Sequence, residues 1–167
     1  MKDLARLHEE HWKLDARMTQ LELLLEQPER RHSSEFDRVL DQLLGELPQH
    51  IRSEERSFYI PLKASGHARP ELVERLHTEH EELLKTLEEL LQFRRPGWSV
   101  DSELFLIYSS YLVELYREHT DQEHRWLFPL LEQLPRRSPC RSRRHGLGRR
   151  FAQAQARLAH VTAVRTE

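Results

Sequence analysis

The stretch His119-Thr-Asp-Gln-Glu123-His124-Arg-Trp-Leu-Phe-Pro129 sets an imidazole and a carboxylate four residues apart. On a helix that spacing puts both on one face, one turn apart. A single such pair is usually no more than two exposed helix neighbours. An earlier stretch, His50-Ile-Arg-Ser-Glu54-Glu55-Arg-Ser-Phe-Tyr-Ile-Pro61, repeats the order: His, Glu four later, an aromatic, then Pro.

The repeat reaches further back. His8-Glu-Glu-His11 returns as His77-Thr-Glu-His80. The pairs His8/His77, His11/His80, His50/His119 and Glu54/Glu123 all share one constant offset along the chain. Only the prolines break step, Pro61 and Pro129 standing closer by a single position. The chain therefore reads as two copies of a helical hairpin. Two hairpins are too few for a solenoid but suffice for one four-helix bundle with an approximate two-fold axis.

Apolar periodicity supports this. Leu4, Leu7, His11, Leu14, Met18, Leu21 and Leu25 alternate steps of three and four, which predicts a first helix from about Asp3 to Gln27 with one apolar seam. Pro28 should stop it. Ser33 or Ser34 caps a second helix with the seam Phe36, Leu40, Leu43, Leu47, His50, Glu54. Pro48 should bend that helix, and Pro61, Ser65 and Gly66 mark its end. A third helix starts near Pro70, carries Val73, Leu76, His80, Leu83, Leu87 and Leu90, and ends at Arg94-Arg-Pro-Gly97. Asp101 is the expected cap of the fourth, whose seam is Phe105, Ser109, Leu112, Tyr116, His119, Glu123 and then Trp126 or Leu127. Pro129 and Pro135 should fray and finish it.

The expected fold is all-α: an up-down-up-down bundle over residues 1–134 with a basic tail over 135–167. The 167 residues suit one domain plus an appendage, and five glycines suit helices better than strands and turns. Residues 136–167 hold nine basic residues and one acidic, net +8; residues 1–135 hold 17 and 27, net −10. The acidic body offers no nucleic-acid surface, so any such contact falls to the Arg-rich tail. That tail should be partly disordered, with room for a short helix over 151–164. No apolar run approaches the roughly 20 residues that span a bilayer. A single cysteine, Cys140, excludes an internal disulfide. With no secretory leader evident, a cytoplasmic location is expected. Oligomeric state is not legible.

Short connections make neighbouring helices antiparallel. Residue counts at a rise of about 1.5 Å per residue then place His11, His50, His80 and His119 in one layer. Glu54 and Glu123 lie one turn away and can lean into it. Six such side chains facing a dry layer would be costly without compensation. A layer satisfied by its own hydrogen bonds is one solution; a metal centre is the other. Four imidazoles and two carboxylates suit a pair of first-row ions, each taking two histidines, with the glutamates bridging. Imidazole with carboxylate favours iron or manganese over tetrahedral zinc.

With Glu10-His11, His50-x-x-x-Glu54-Glu55 and Pro61, Glu79-His80, and His119-x-x-x-Glu123 with Leu127-Phe128-Pro129, the chain resembles the hemerythrin-like proteins with HHE cation-binding domains. The resemblance covers residues 4 to about 133. It implies a bundle around a non-heme di-iron site that binds oxygen, nitric oxide or iron in sensing, storage or stress response. The alternative is a di-iron enzyme acting on peroxide or nitric oxide. The expected ligands are His11, His50, Glu54, His80, His119 and Glu123, and the cofactor is two iron ions. Oxygen-carrying members supply five histidines, two of them four apart on the third helix; here Leu76 stands four before His80. His8, His77 and His124 are candidates for an extra ligand, though helix-flank positions suit them as well. Tyr116, one turn from His119, is either core or a donor to a bound ligand.

Overall fold

The computed structural model describes residues 2–66, 70–93 and 99–133; the expected helix end at 94–97 and the tail over 135–167 lie outside these. Helix α1 spans Lys2–Leu25, and a 3-10 turn at Pro28–Arg30 reverses the chain. Helix α2 spans Ser34–Glu54 and passes through a wide π turn, Glu55–Tyr59, into α3, Ile60–Ser65. Helix α4 spans Pro70–Gln92. Helix α5, Glu103–Gln122, passes through a second π turn, Glu123–Leu127, into α6, Phe128–Gln133. The result is a four-helix bundle; no strand occurs among the described residues. None of the described helices is long and apolar enough to cross a membrane.

The caps follow side-chain chemistry. Ser33 accepts from the Phe36 N–H at 3.1 Å and starts α2. Ser102, not Asp101, accepts from the Phe105 N–H at 3.2 Å and starts α5. Asp101 is held instead by His32 at 2.6 Å, tying the first connection to the head of α5. The α2 helix continues through Pro48 to Glu54. Gly66, in the left-handed region at φ 69°, closes α3.

Around the bundle, α1 packs on α2 and α5, α4 packs on α5, and α2 touches α4. The seam residues are buried as expected, apart from Leu4, which is half-buried. Trp126 is exposed and Leu127 fully buried, which resolves the end of the α5 seam. The core has two apolar blocks. The larger gathers Leu14 to Leu25, Phe36 to Ile51, Leu83 to Phe93 and Phe105 to Tyr116. The smaller gathers Leu7, Phe58, Tyr59, Leu62, Val73, Leu76, Leu127 and Phe128. In chain order the histidines and glutamates of the seams fall between the two blocks, except that Ile51 of the larger block follows His50.

Leu87 lies in the larger block and Leu23 is half exposed. Leu87→Ala should cost ~2–5 kcal/mol of stability, and Leu23→Ala should stay within ~0.5 kcal/mol. Urea denaturation of the two variants measures this; equal losses would mean the seam is out of phase.

Candidate metal centre

Each of four helical rods contributes one histidine to a single layer: His11 from α1, His50 from α2, His80 from α4 and His119 from α5. Glu54 is the last residue of α2 and Glu123 opens the second π turn. Both carboxylates are fully buried and the four imidazoles nearly so. All six residues therefore meet where the seam periodicity placed them.

The Nε2 atoms face inward. His11 Nε2 lies 3.0 Å from Glu54 Oε1 and 3.2 Å from Glu123 Oε2. His50 Nε2 lies 3.3 Å from Glu54 Oε1. On the other side His80 Nε2 lies 3.2 Å from Glu54 Oε2, and His119 Nε2 lies 3.4 Å from Glu123 Oε1. The atoms sort into two groups that could hold a cation: Glu54, His80, His119 and Glu123, and then His11, His50 and Glu54. Glu54 is common to both. Glu123 belongs to the first group and reaches His11 of the second.

The Nδ1 atoms face outward, mostly to carboxylates. His50 Nδ1 donates to Glu10 at 3.2 Å, His119 Nδ1 to Glu79 at 3.0 Å, and His80 Nδ1 to Glu55 at 2.9 Å. A carboxylate on Nδ1 fixes the ring and leaves a bare lone pair on Nε2 of the neutral imidazole. His80 and His119 then point Nε2 at Nε2 across 2.9 Å. Two lone pairs at that distance repel unless a proton or a cation lies between them. His50 Nε2, Glu54 Oε2 and Glu123 Oε2 are also buried without hydrogen-bond partners among the described residues. A first-row ion with bonds near ~2.1 Å holds neighbouring donors about 3.0 to 3.4 Å apart. The inward contacts run from 2.9 to 3.4 Å. The donor set and its spacing thus fit a cation.

Protons compete for the same lone pairs. Burial alone would depress His50, but the Glu54 charge and the hydrogen bond with Glu10 hold it up at about 9. Burial likewise opposes the charge on His119, which Glu123 and Glu79 raise to about 10. Burial and the Glu54 charge push Glu123 up, yet His119 and His11 bring it down to about 2. Burial would also raise Glu54, but His50, His11 and His80 hold it well below the usual carboxylate range.

Tyr59 enters the sequence pattern only as part of the aromatic pair before Pro61. Its ring stacks on His80 with centroids 5.0 Å apart, and its hydroxyl donates to Glu123 Oε1. Burial and the Glu123 charge keep that phenol protonated, hence a donor. Glu10, Glu55 and Glu79 stand out in the sequence only as members of a motif. The available signal is that Glu10 and Glu79 share the offset of the histidines beside them. Of the extra candidates, His77 Nδ1 donates to Glu55 at 2.8 Å and so meets the cluster only through that carboxylate. His8 and His124 are exposed, stacked on each other at 5.8 Å. The Tyr116 hydroxyl donates to the His11 backbone carbonyl at 3.2 Å, which ties α1 to α5.

A family model described as the hemerythrin HHE cation binding domain matches residues 2–131. Comparison with curated proteins and with solved structures gave no match.

The charge pattern sets the pH response of metal-stripped protein. His50 and His119 lie above their ordinary 6.5, so their contribution is full below pH 6.5 and is lost as pH rises through about 9 and 10. Glu123 lies below its ordinary 4.5, so its contribution is present above pH 4.5 and is lost as pH falls through about 2. Chelator-treated protein should denature at the highest temperature between pH 4.5 and 6.5 and weaken steadily toward pH 10. A denaturation midpoint that stays flat from pH 6 to 10 would show that these imidazoles carry no charge in the fold.

Proposed function

The chain belongs to the hemerythrin HHE cation-binding domain family, and from that premise we propose that it holds two non-heme iron ions. His80, His119, Glu54 and Glu123 would hold one ion; His11 and His50, with Glu54 and the nearer oxygen of Glu123, would hold the other. The observation that carries this is the pair of adjoining donor groups sharing Glu54. Mixed imidazole and carboxylate donors favour iron over a structural zinc, which takes four ligands in a closed tetrahedron.

The proposed role is binding of a small exogenous ligand, oxygen or nitric oxide, or of iron itself. An ion held by three or four protein donors would have room to take such a ligand. Binding is preferred to turnover because the two buried phenols near the layer are already committed, Tyr59 to Glu123 and Tyr116 to the His11 carbonyl. Neither is free to pass a proton to a substrate. Leu76 is fully buried four residues before His80, so no fifth histidine enters from that side of α4.

Iron-reconstituted protein should contain about two iron ions per chain, on the precedent of two-ion bundles. His80→Ala should leave at most one, whereas His77→Ala should keep both, because His77 meets the layer only through Glu55. Elemental analysis of the pair, made side by side, decides it. Equal loss from both variants would make His77 a ligand; a single zinc without iron in the parent would end the di-iron reading.

The family match stops at residue 131, and every proposed ligand precedes it. Protein truncated after Leu134 should therefore retain its helical circular dichroism and its iron. Loss of either would show that residues 135–167 complete the bundle.

A further inference from the structure

The two hairpins repeat at a constant offset, and two side chains beside the centre break the likeness. The first break is Glu55, whose counterpart at the offset of the layer histidines is His124. Glu55 accepts from His80 Nδ1 and His77 Nδ1 at 2.9 and 2.8 Å. His124 occupies the corresponding place beside His11 and His8, with ring centroids 5.4 and 5.8 Å away. It gives His11 no carboxylate, and it makes a backbone hydrogen bond at Thr120 in its own helix. His11 Nδ1 is consequently buried with no hydrogen-bond partner among the described residues. The second break is Tyr59, whose counterpart at the same offset is Phe128. Both rings lie against a histidine of the layer, Tyr59 on His80 and Phe128 on His11 at 5.4 Å. Only Tyr59 has a hydroxyl to hold a glutamate.

We propose that the two metal positions are unequal, the His80/His119 position filling first and more tightly, with Glu55 as the positioning residue responsible. The inference rests on the two-ion reading above. A carboxylate on the outer nitrogen orients an imidazole and raises its basicity, and loss of such a partner costs roughly 10- to 100-fold in metal affinity. At the tight position both imidazoles have that partner, Glu55 for His80 and Glu79 for His119. At the other position His50 has Glu10 and His11 has none. The convergence of donors agrees: at the first position four donors lie mutually close, whereas at the second only His11, His50 and Glu54 do, with Glu123 Oε2 coming in beside His11 at 3.2 Å. His11 is thus held from its inner side alone, without the carboxylate on Nδ1 that would raise its basicity, and the second ion binds a weaker donor.

The experiment is an anaerobic titration of chelator-stripped full-length protein with ferrous iron, followed by calorimetry. Two steps should appear, separated by about 10- to 100-fold in affinity. His80→Ala should abolish the tight step and His11→Ala the weak one. Glu55→Ala should weaken the tight step by about tenfold or more and close the gap. If that variant does not fold, His124→Glu decides, because it changes an exposed side chain and supplies His11 with the missing carboxylate. It should strengthen the weak step and narrow the gap. Two ions of equal affinity in the parent protein would overturn the inequality and leave the two-ion reading standing. So would a reversed assignment by the histidine variants, or a gap unchanged in Glu55→Ala and His124→Glu. A parent protein that takes up one ion only would sink the two-ion reading, and this inference with it.

Discussion

Two carboxylates with no exposure to water, Glu54 and Glu123, set the terms for the rest of the bundle. An ionised carboxylate in a dry interior is costly unless neighbours neutralise it. Here the neighbours are four imidazoles, one from each rod, so neutralisation requires that all four rods be in place. The helices could slide or rotate on one another with little penalty if the seam were leucine throughout. A polar layer at one height removes that freedom, since a slip of one turn would strand both charges. The apolar blocks on either side supply the burial that drives assembly; the layer supplies the register.

The same demand accounts for the outer carboxylates. Imidazoles held only by Glu54 and Glu123 would be free to flip. Glu10, Glu55 and Glu79 take the Nδ1–H of three rings and leave the Nε2 atoms facing the centre. Each of the three keeps some contact with water and so costs less to hold ionised than the two inside. The gradient from partly solvated carboxylate through imidazole to buried carboxylate is a common way to hold charge inside a bundle meant for a cation.

The π turns sit where the layer meets the smaller apolar block. Ile60 N–H bonds the Glu55 carbonyl and Phe128 N–H bonds the Glu123 carbonyl, each reaching back five residues. Each turn is followed closely by a proline, Pro61 or Pro129. Proline has no N–H and crowds the carbonyl four residues before it in a regular helix. A wider turn relieves that crowding without ending the rod, so one rod continues into α3 to bury Leu62 and the other continues into α6. The π turns, opening at Glu55 and Glu123, repeat in step with the prolines and not with Glu54 and Glu123. The single-position slip of the repeat therefore lies between the glutamate of the layer and the π turn, and Glu55 falls at the slip.

Helical periodicity alone dictates the bundle, its seams and the six residues of the layer. The period is strong over four long stretches, and His and Glu at seam positions are conspicuous because leucine is the rule there. Three things waited on the packing of the rods. Proline at 61 and 129 reads as a stop, since an α-helix and a π turn draw on the same residues and differ only in which carbonyl is bonded. Asp101 reads as a cap because Asp and Ser compete equally for that place, and the contact with His32 that diverts it comes from a distant connection. The partner of each imidazole is the last. Glu55 and His124, matched at the offset of the layer histidines, lie in corresponding places beside the layer, yet one fixes a ring of it and the other does not. That Glu55 meets His80 and His124 meets His11 depends on where α4 and α1 present their histidines. It is a distance between rods, and no local pattern in the chain encodes it.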